Sequence, residues 1–287
     1  MNAIKRSALF ASQVLFSIIT PPLLIPSIAK LRLTRSFISF CFGRSYGDRY
    51  QDIIDSFDDR YGLAMAQGIA KAKEMGGDSI SIVVDSGTGT GYVTRQAAKY
   101  FPHATFIAFD VLPGMLAQAR ANCKDIQTDV FHVQADAFEL PLADGSVDLI
   151  LAQNTMPCFE EFARVCRPGG IVVYVDSSAG WISGLAKMLV ARQNLFENVW
   201  GERVDLGFYV LAQKRDNGQR TGRQVTEGKT RNERLMSLLR CPTDKSSISL
   251  DGNFMYCSRG HQYPVHADFP ILMTDMHLAK KQTATSR

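Results

Sequence analysis

The sequence has little net charge, no cysteine pattern that indicates disulfides and no unbroken apolar run long enough to cross a bilayer. Its 32 Lys and Arg against 28 Asp and Glu give +4, which permits an anionic partner without requiring one. The 6 cysteines are scattered through 287 residues, so we expect reduced thiols in a cytoplasmic protein. Apolar residues at 46% and charged residues at 21% exclude a disordered chain.

An uncharged apolar stretch occupies residues 7–29, with basic residues on both sides. Prolines at 21, 22 and 26 leave only residues 8–20 unbroken, about two thirds of the ~20 residues that a spanning helix needs. No small-x-small cleavage site follows, which argues against a signal peptide. We expect residues 8–29 to be buried or to cover the substrate; the alternative is a peripheral membrane contact and a membrane-associated protein.

Apolar segments of strand length alternate with segments of helical periodicity in the middle of the chain. Continuous apolar strands separated by helices predict an α/β fold, a doubly wound, mostly parallel sheet covered on both faces. The predicted strands are residues 80–85, 104–110, 129–136, 147–154, 170–176 and 207–213, and the predicted helices are 92–100, 113–122, 159–165 and 181–194.

The composition changes at both ends of this central region. We predict an apolar segment and helical cap (1–77), the α/β domain (78–214), a basic linker without apolar periodicity (215–234), a small β-rich module (235–277) and a tail (278–287).

The turn after the first predicted strand carries the clearest signal for a ligand. The segment VVDSGTGTGYV begins at Val83 and places glycine at 87, 89 and 91, directly after Asp85. A glycine-rich first turn lets backbone N–H groups approach a ligand at the carboxyl end of a parallel sheet. A dinucleotide site would require a small residue at position 92, where this chain has Tyr92.

The pattern D-x-G-x-G-x-G resembles motif I of class I S-adenosylmethionine-dependent methyltransferases, in particular the type 11, quinone-biosynthesis-like domain. Later landmarks agree in order: Asp110 at the end of the second strand, Asp136 in QADAFELPLADGSVDLI, and EEFARVCRPGGIVVYVD at residues 160–176. The resemblance covers about residues 80–176. It implies a Rossmann-like sheet of seven strands and S-adenosyl-L-methionine as cofactor.

The resemblance also implies roles for single residues. Asp85 and the glycine backbone would hold the methionine end of the cofactor, Asp110 its ribose, and Asp136 with Ala137 its adenine. The implied cofactor-binding residues are Asp85, Ser86, Gly87, Thr88, Gly89, Gly91, Asp110, Val111, Asp136, Ala137 and Gln153.

The acceptor side is less defined, and we predict a small, lipophilic acceptor. Asn154, beyond the fourth strand, and Tyr46 and Tyr50 of the cap are the substrate-side candidates, although Gln153 and Asn154 could equally be the polar end of a buried strand. Methyl transfer from a sulfonium depends mainly on positioning of the acceptor, and no residue of the sequence identifies itself as a catalytic base.

Two alternative functions remain open. The first is methyl transfer to RNA or protein, with nucleic acid not favoured, and the second is a non-catalytic scaffold that binds the cofactor. The sequence does not predict an oligomeric state.

The C-terminal module begins LLRCPTDK and resembles the zinc-ribbon-like activators that pair with tRNA, rRNA and release-factor methyltransferases. A tetrahedral zinc site takes four Cys or His ligands in short, paired spacings. This chain offers Cys241, Cys257 and His261 as candidate ligands, but has Asp244 where a cysteine is expected and places His261 one position late. We therefore expect no zinc and a module held together by its apolar core.

Overall fold

The computed structural model describes residues 20–29, 58–216, 230–266 and 269–274, together with residues 7, 11, 18, 31, 33, 34, 52, 54 and 218. The candidates Tyr46 and Tyr50, most of the predicted linker and the tail 278–287 lie outside the described residues.

In this part of the chain, seven strands form one sheet in the order β3-β2-β1-β4-β5-β7-β6. Strands β1 to β5 run parallel, and β7 is antiparallel to both β5 and β6. The mostly parallel, doubly wound sheet predicted from the sequence is therefore confirmed. Its strands are β1 (Ile82–Ser86), β2 (Thr105–Asp110), β3 (Val130–Gln134), β4 (Val147–Gln153), β5 (Cys166–Asp176), β6 (Phe196–Val204) and β7 (Gly207–Lys214).

Helices cover both faces of the sheet, and two apolar clusters fill the space beneath them. Proline at the first position of α5 pre-forms its first turn. The helices are α1 (Thr20–Leu23), α2 (Pro26–Ala29), α3 (Leu63–Gly76), α4 (Tyr92–Ala98), α5 (Pro113–Asn122), α6 (Phe159–Val165), α7 (Ser183–Ala191) and α8 (Arg231–Leu238).

Helix α3 was predicted as part of a cap preceding the domain, but it packs on the sheet over β5 and β7. Met65 and Ile69, one turn apart, are fully buried in the cluster that includes Val173 and Leu211. This helix is a covering helix of the α/β domain, because its apolar face needs the sheet for burial.

The described part of the N-terminal apolar segment also contacts the domain. Leu24 and Ala29 are each 1% exposed, whereas Ile18 and Leu31 are exposed. The Gln193 side chain donates a hydrogen bond to the carbonyl of Leu24 over 3.4 Å. None of the described helices has the length and apolar content that a membrane crossing requires.

The C-terminal module is a second, antiparallel sheet in the order β11-β10-β9-β8. Helix α8 precedes it and begins at Arg231, within the predicted linker, because Thr230 and Glu233 form a capping box there. Past the last strand, Ile271 pairs with Gln134 and so places the module at the β3 edge of the large sheet. The module strands are β8 (Ile248–Asp251), β9 (Phe254–Cys257), β10 (Gln262–His266) and β11 (Phe269–Pro270).

Candidate functional site

The glycine turn between β1 and α4 has a backbone that only glycine adopts easily. Gly87 and Gly91 have φ of +75° and +81°, a region that side chains with a Cβ avoid. A Cβ on Gly87 would collide with the side chain of Thr155, and one on Gly91 would lie 2.9 Å from Cys123 Sγ. The N–H groups of Gly87 and Thr88 both donate to the carbonyl of Phe109, which fixes the turn to the end of β2.

Asp85 lies beneath this turn and is completely buried. Its Oδ2 accepts hydrogen bonds from Thr88 Oγ1 (2.8 Å), Thr94 Oγ1 (2.6 Å) and Thr94 N (3.1 Å). Its Oδ1 has no hydrogen-bond partner among the described residues. Burial raises the pKa of Asp85 to about 6, against the lowering effect of the bonds from Thr94 and Thr88. One oxygen therefore holds the turn to α4, and the other remains for a donor from outside.

Asp110 ends β2 on the opposite side of the turn. Its Oδ2 accepts the N–H of Gly89 and its Oδ1 the N–H of Leu112, each over 2.9 Å. Burial and, further, the charge of Asp85 raise its pKa to about 6, although these backbone bonds lower it. The two backbone bonds hold the Asp110 side chain in place. Because a carboxylate has about four acceptor sites, Asp110 can still accept hydrogen bonds from hydroxyl donors. The next residue, Val111, is 44% exposed and offers an apolar surface beside the acid.

Asp136 follows β3 in a loop that is fixed from two sides. Its Oδ1 accepts the N–H of Phe138 over 2.9 Å. On one side, the Gln134 side chain donates to the carbonyl of Val111 over 2.9 Å. The C-terminal module makes the other contacts: Leu272 N donates to Gln134 O over 2.8 Å and Arg240 N to Pro141 O over 2.9 Å. The module is therefore hydrogen-bonded to both ends of the loop that carries Asp136.

Gln153 and Asn154 at the end of β4 join a network with two residues distant in sequence. Gln153 Nε2 donates to the carbonyl of Tyr61 (2.9 Å) and to Ser177 Oγ (2.8 Å). Asn154 Oδ1 accepts the N–H of Ser177 over 2.8 Å, and its backbone is left-handed, with φ +51°. Gln153 Oε1 is buried without a hydrogen-bond partner among the described residues.

The structure thus gathers the predicted cofactor residues at the carboxyl ends of β1, β2, β3 and β4, where ligands bind in open α/β sheets. The unmatched buried acceptors Asp85 Oδ1 and Gln153 Oε1 suit a ligand with cationic and hydroxyl donors. Sequence reasoning missed Thr94 and Ser177. Neither stands in the glycine pattern, and only the folded chain brings Thr94 to Asp85 or Ser177 to Gln153.

The predicted metal candidates Cys241, Cys257 and His261 also come together, in the C-terminal module. Asp244, which the sequence analysis did not count as a ligand, is the fourth member, and the four candidate ligand atoms lie within 4.8 Å of one another. This cluster belongs to the module and contains none of the predicted cofactor residues.

Comparison with known proteins matches residues 83–170 to a family described as "Methyltransferase domain". Malonyl-[acyl-carrier protein] O-methyltransferase of Hahella chejuensis is 33% identical over 116 residues, 35% of this chain and 41% of the relative. The enzyme of that name from a Marinomonas species is 30% identical over 147 residues, 49% and 53% of the two chains. The matches thus span about half the length of these relatives, or less.

Among solved structures, a SAM-dependent methyltransferase of Aquifex aeolicus is similar at a TM-score of 0.42, with 20% identity over 55% of this chain and 93% of that one. The family match covers the glycine turn, Asp110, Asp136 and the end of β4. Residues 83–170 of this chain thus match a methyltransferase domain, and they carry the glycine turn and both of its buried acids.

Proposed function

We propose that the protein transfers a methyl group from S-adenosyl-L-methionine to a small, lipophilic acceptor. The observation that carries the proposal is the pair of buried acids, Asp85 and Asp110, on either side of the glycine turn. Both keep hydrogen-bond acceptor capacity after their contacts within the protein are counted.

Each acid is suited to one part of the cofactor. Asp85 Oδ1 would accept a hydrogen bond from the α-ammonium, and the Asp110 carboxylate would accept the ribose hydroxyls. Asp136 and Ala137 would bind the adenine edge, and the exposed side chain of Val111 would pack against the ring. A charged acceptor strengthens such bonds about twofold over neutral ones, so the two acids would supply most of the polar affinity.

The bound cofactor supplies an already activated methyl group on a sulfonium. The work left to the protein is to orient the acceptor in line with that methyl and to exclude water. A hydrogen-bond network beside the glycine turn is suited to orienting the acceptor, because it fixes the polar side chains at the end of β4. It consists of Gln153, Asn154, Ser177 and the Tyr61 carbonyl. Catalysis by positioning requires no base, and we assign none.

A cavity of about 240 Å³ supports a small acceptor. It lies between the Asp136 loop and the segment after β4, and apolar side chains line it together with three charged ones. Ala29 of the N-terminal segment forms part of it, so that segment would cover the acceptor. The relatives' printed names specify O-methylation of malonyl-[acyl-carrier protein], an acyl group attached to a protein. The lining residues are Ala29, Phe138, Pro157, Cys158, Phe159, Glu160, Glu161 and Arg164.

Isothermal titration with S-adenosylhomocysteine tests the cofactor site. Asp110→Ala removes the acceptor of two ribose hydroxyls, and hydrogen bonds to a charged group contribute about 1.5–3 kcal/mol each. We therefore expect the Kd to rise at least about 100-fold. Asp125→Ala, at an exposed position in a turn after α5, is the matched control and should bind like the wild type. Absence of binding by the wild type, or unchanged binding by Asp110→Ala, would refute the proposal.

The acceptor class needs a separate experiment, because cofactor binding does not identify it. Cofactor labelled in the methyl group should be incubated with an organic-solvent extract, with total RNA and with total protein. We expect label in the extract. Label in RNA that disappears with rising salt would instead favour a nucleic-acid acceptor, and cofactor binding without label in any fraction would favour a scaffold.

A further inference from the structure

The four-residue cluster in the C-terminal module has the ligand atoms and the spacing of a tetrahedral metal site. Cys241 and Cys257 are buried, and Asp244 and His261 are partly buried beside them. No other group of three or more His, Cys, Asp or Glu side chains in the described chain meets this spacing. The cysteine spacing alone did not predict this, since two of the four ligands are not cysteines.

Four of the six distances between the ligand atoms agree with zinc coordination. Zinc bonds of about 2.3 Å to sulfur and 2.0–2.2 Å to nitrogen or oxygen place neighbouring tetrahedral ligand atoms about 3.3–3.8 Å apart. His261 Nδ1 lies 3.6 Å from Cys241 Sγ and 3.3 Å from Cys257 Sγ. Asp244 Oδ2 lies 3.7 Å from Cys257 Sγ and 3.1 Å from His261 Nδ1. Each value is within a few tenths of an ångström of that range.

Two tight turns hold the ligands in place. In the first, Cys241 N donates to Ser246 O and Lys245 N to Cys241 O, each over 2.9 Å. In the second, Cys257 N donates to His261 O and Gly260 N to Cys257 O, each over 3.0 Å. The ligand pairs 241/244 and 257/261 therefore come from two separate turns that face each other, as in zinc sites built from paired short spacings.

The orientation of Asp244 is fixed by a neighbour outside the cluster. Its Oδ1 accepts hydrogen bonds from Ser246 N (2.9 Å) and Ser246 Oγ (2.6 Å), which leaves Oδ2 directed at the cysteines and the histidine. Such hydrogen bonds to a ligating carboxylate are typical of metal sites, where they orient the ligand. Ser246 would thus act as a positioning residue for the metal.

We propose that Cys241, Asp244, Cys257 and His261 bind one Zn²⁺ ion that stabilises the C-terminal module. Two thiolates with one imidazole and one carboxylate select zinc over magnesium or calcium, which prefer oxygen ligands alone. The proposal replaces the expectation of a metal-free module. In the sequence pattern Asp244 stands where a cysteine is expected, and its carboxylate would be the fourth ligand of the tetrahedron.

Metal content of the full-length protein, purified with reductant and without chelator, tests the proposal. Mass spectrometry of the metal should give about one zinc per chain, and Cys241→Ser combined with Cys257→Ser should abolish it. Cys123→Ser, which removes a buried thiol outside the cluster, is the matched control and should retain zinc. Zinc below about a tenth per chain in the wild type, or equal zinc in the double variant, would overturn the proposal.

Two further measurements keep the test decisive if the double variant does not fold. Cobalt added to the metal-free wild type should give the visible spectrum of a tetrahedral, thiolate-bound ion, and its absence would count against the site. Ser246→Ala should weaken zinc affinity about 10–100-fold in a chelator competition, whereas Ser249→Ala, exposed on β8, should not. A Cys241–Cys257 disulfide in the reduced preparation would also overturn the proposal.

Discussion

Protonation of Asp85 and Asp110 should weaken cofactor binding below pH 6, because burial raises the pKa of both carboxyls to about 6. The ammonium and hydroxyl donors of the cofactor bind the ionised acids, so a protonated acid must first lose its proton. S-adenosylhomocysteine keeps its own charges between pH 5 and 7, since even the α-carboxyl and α-amino groups of chain termini titrate outside this interval, near about 3.5 and 7.8. The change in affinity over this interval therefore reports on the protein.

The magnitude follows from the two pKa values of about 6. Such a group is about 90% ionised at pH 7 and about 10% at pH 5. Each acid that must be ionised therefore raises the Kd about tenfold over this interval, and both together raise it about 100-fold, or about 2.7 kcal/mol.

The stability of the unliganded protein should respond in the opposite direction. A carboxyl with a pKa raised in the folded state binds more protons there than in the unfolded chain. The free energy of unfolding contributed by Asp85 and Asp110 therefore rises as the pH falls from about 6 towards about 4. Weaker binding at pH 5 is thus not explained by unfolding through these two groups.

Isothermal titration at half-unit steps from pH 7 to pH 5 measures the effect. Asp110→Asn removes one of the two titrating groups, so its Kd should rise only about tenfold over the interval from an already weaker value. A wild-type Kd that changes less than about twofold would contradict the reasoning. A full pH dependence in the Asp85→Asn and Asp110→Asn double variant would contradict it as well.

Two further predictions compare matched positions. Gly87→Ala should abolish S-adenosylhomocysteine binding in a titration, because the added Cβ would collide with Thr155. Gly77→Ala is the control, since Gly77 also has positive φ but faces open space. This change should lower the free energy of unfolding by only about 1 kcal/mol. Leu239→Ala, at a fully buried position paired with Leu142, should lower the free energy of unfolding by about 2–5 kcal/mol and weaken cofactor binding. Leu250→Ala, in the same module but 50% exposed, should do neither. Chemical denaturation measures the free energy of unfolding, and titration measures cofactor affinity. Equal results for Leu239→Ala and Leu250→Ala would argue against the module's contact with the Asp136 loop.

The central strands could be located from the sequence because both of their faces are buried. Residues 149–152 form an apolar run within the predicted strand 147–154, and the observed strand β4 is Val147–Gln153, buried throughout. Helix α5 was predicted at its observed bounds, since Pro113 marks its start. A strand buried on both faces, or a helix with a strong start signal, is thus readable without knowledge of its neighbours.

Strand β6 was not predicted, although the resemblance implied seven strands. It lies at the edge of the sheet and reads FENVWGERV, with only Phe196 and Val204 at its ends buried. An edge strand with charged residues has neither an apolar run nor a clean alternation. Its pairing with β7 supplies the strand structure, and a single sequence does not show that pairing.

Only those parts of the candidate site that are formed by residues close together in the sequence could be predicted from it. The glycine turn, Asp85 and Asp110 follow strands, so their common edge was foreseeable. The bond from Gln153 to the Tyr61 carbonyl joins residues separated by 92 positions, and no local pattern encodes it. The same holds for Asp244, because only the two facing turns show that a carboxylate stands beside two thiols and an imidazole.

Through these long-range contacts, the proposed cofactor site involves residues beyond the matched range 83–170. Asp85, Asp110 and Asp136 all lie in this matched region, yet Tyr61 and Ser177, which hold Gln153, lie outside it. The Asp136 loop is held at Gln134 and Pro141 by Leu272 and Arg240 of the C-terminal module. The module adds none of the proposed cofactor ligands, so its effect on cofactor affinity would act through the position of this loop. Its fold, and the proposed zinc ion within it, would therefore set how rigidly the adenine side of the cofactor is held.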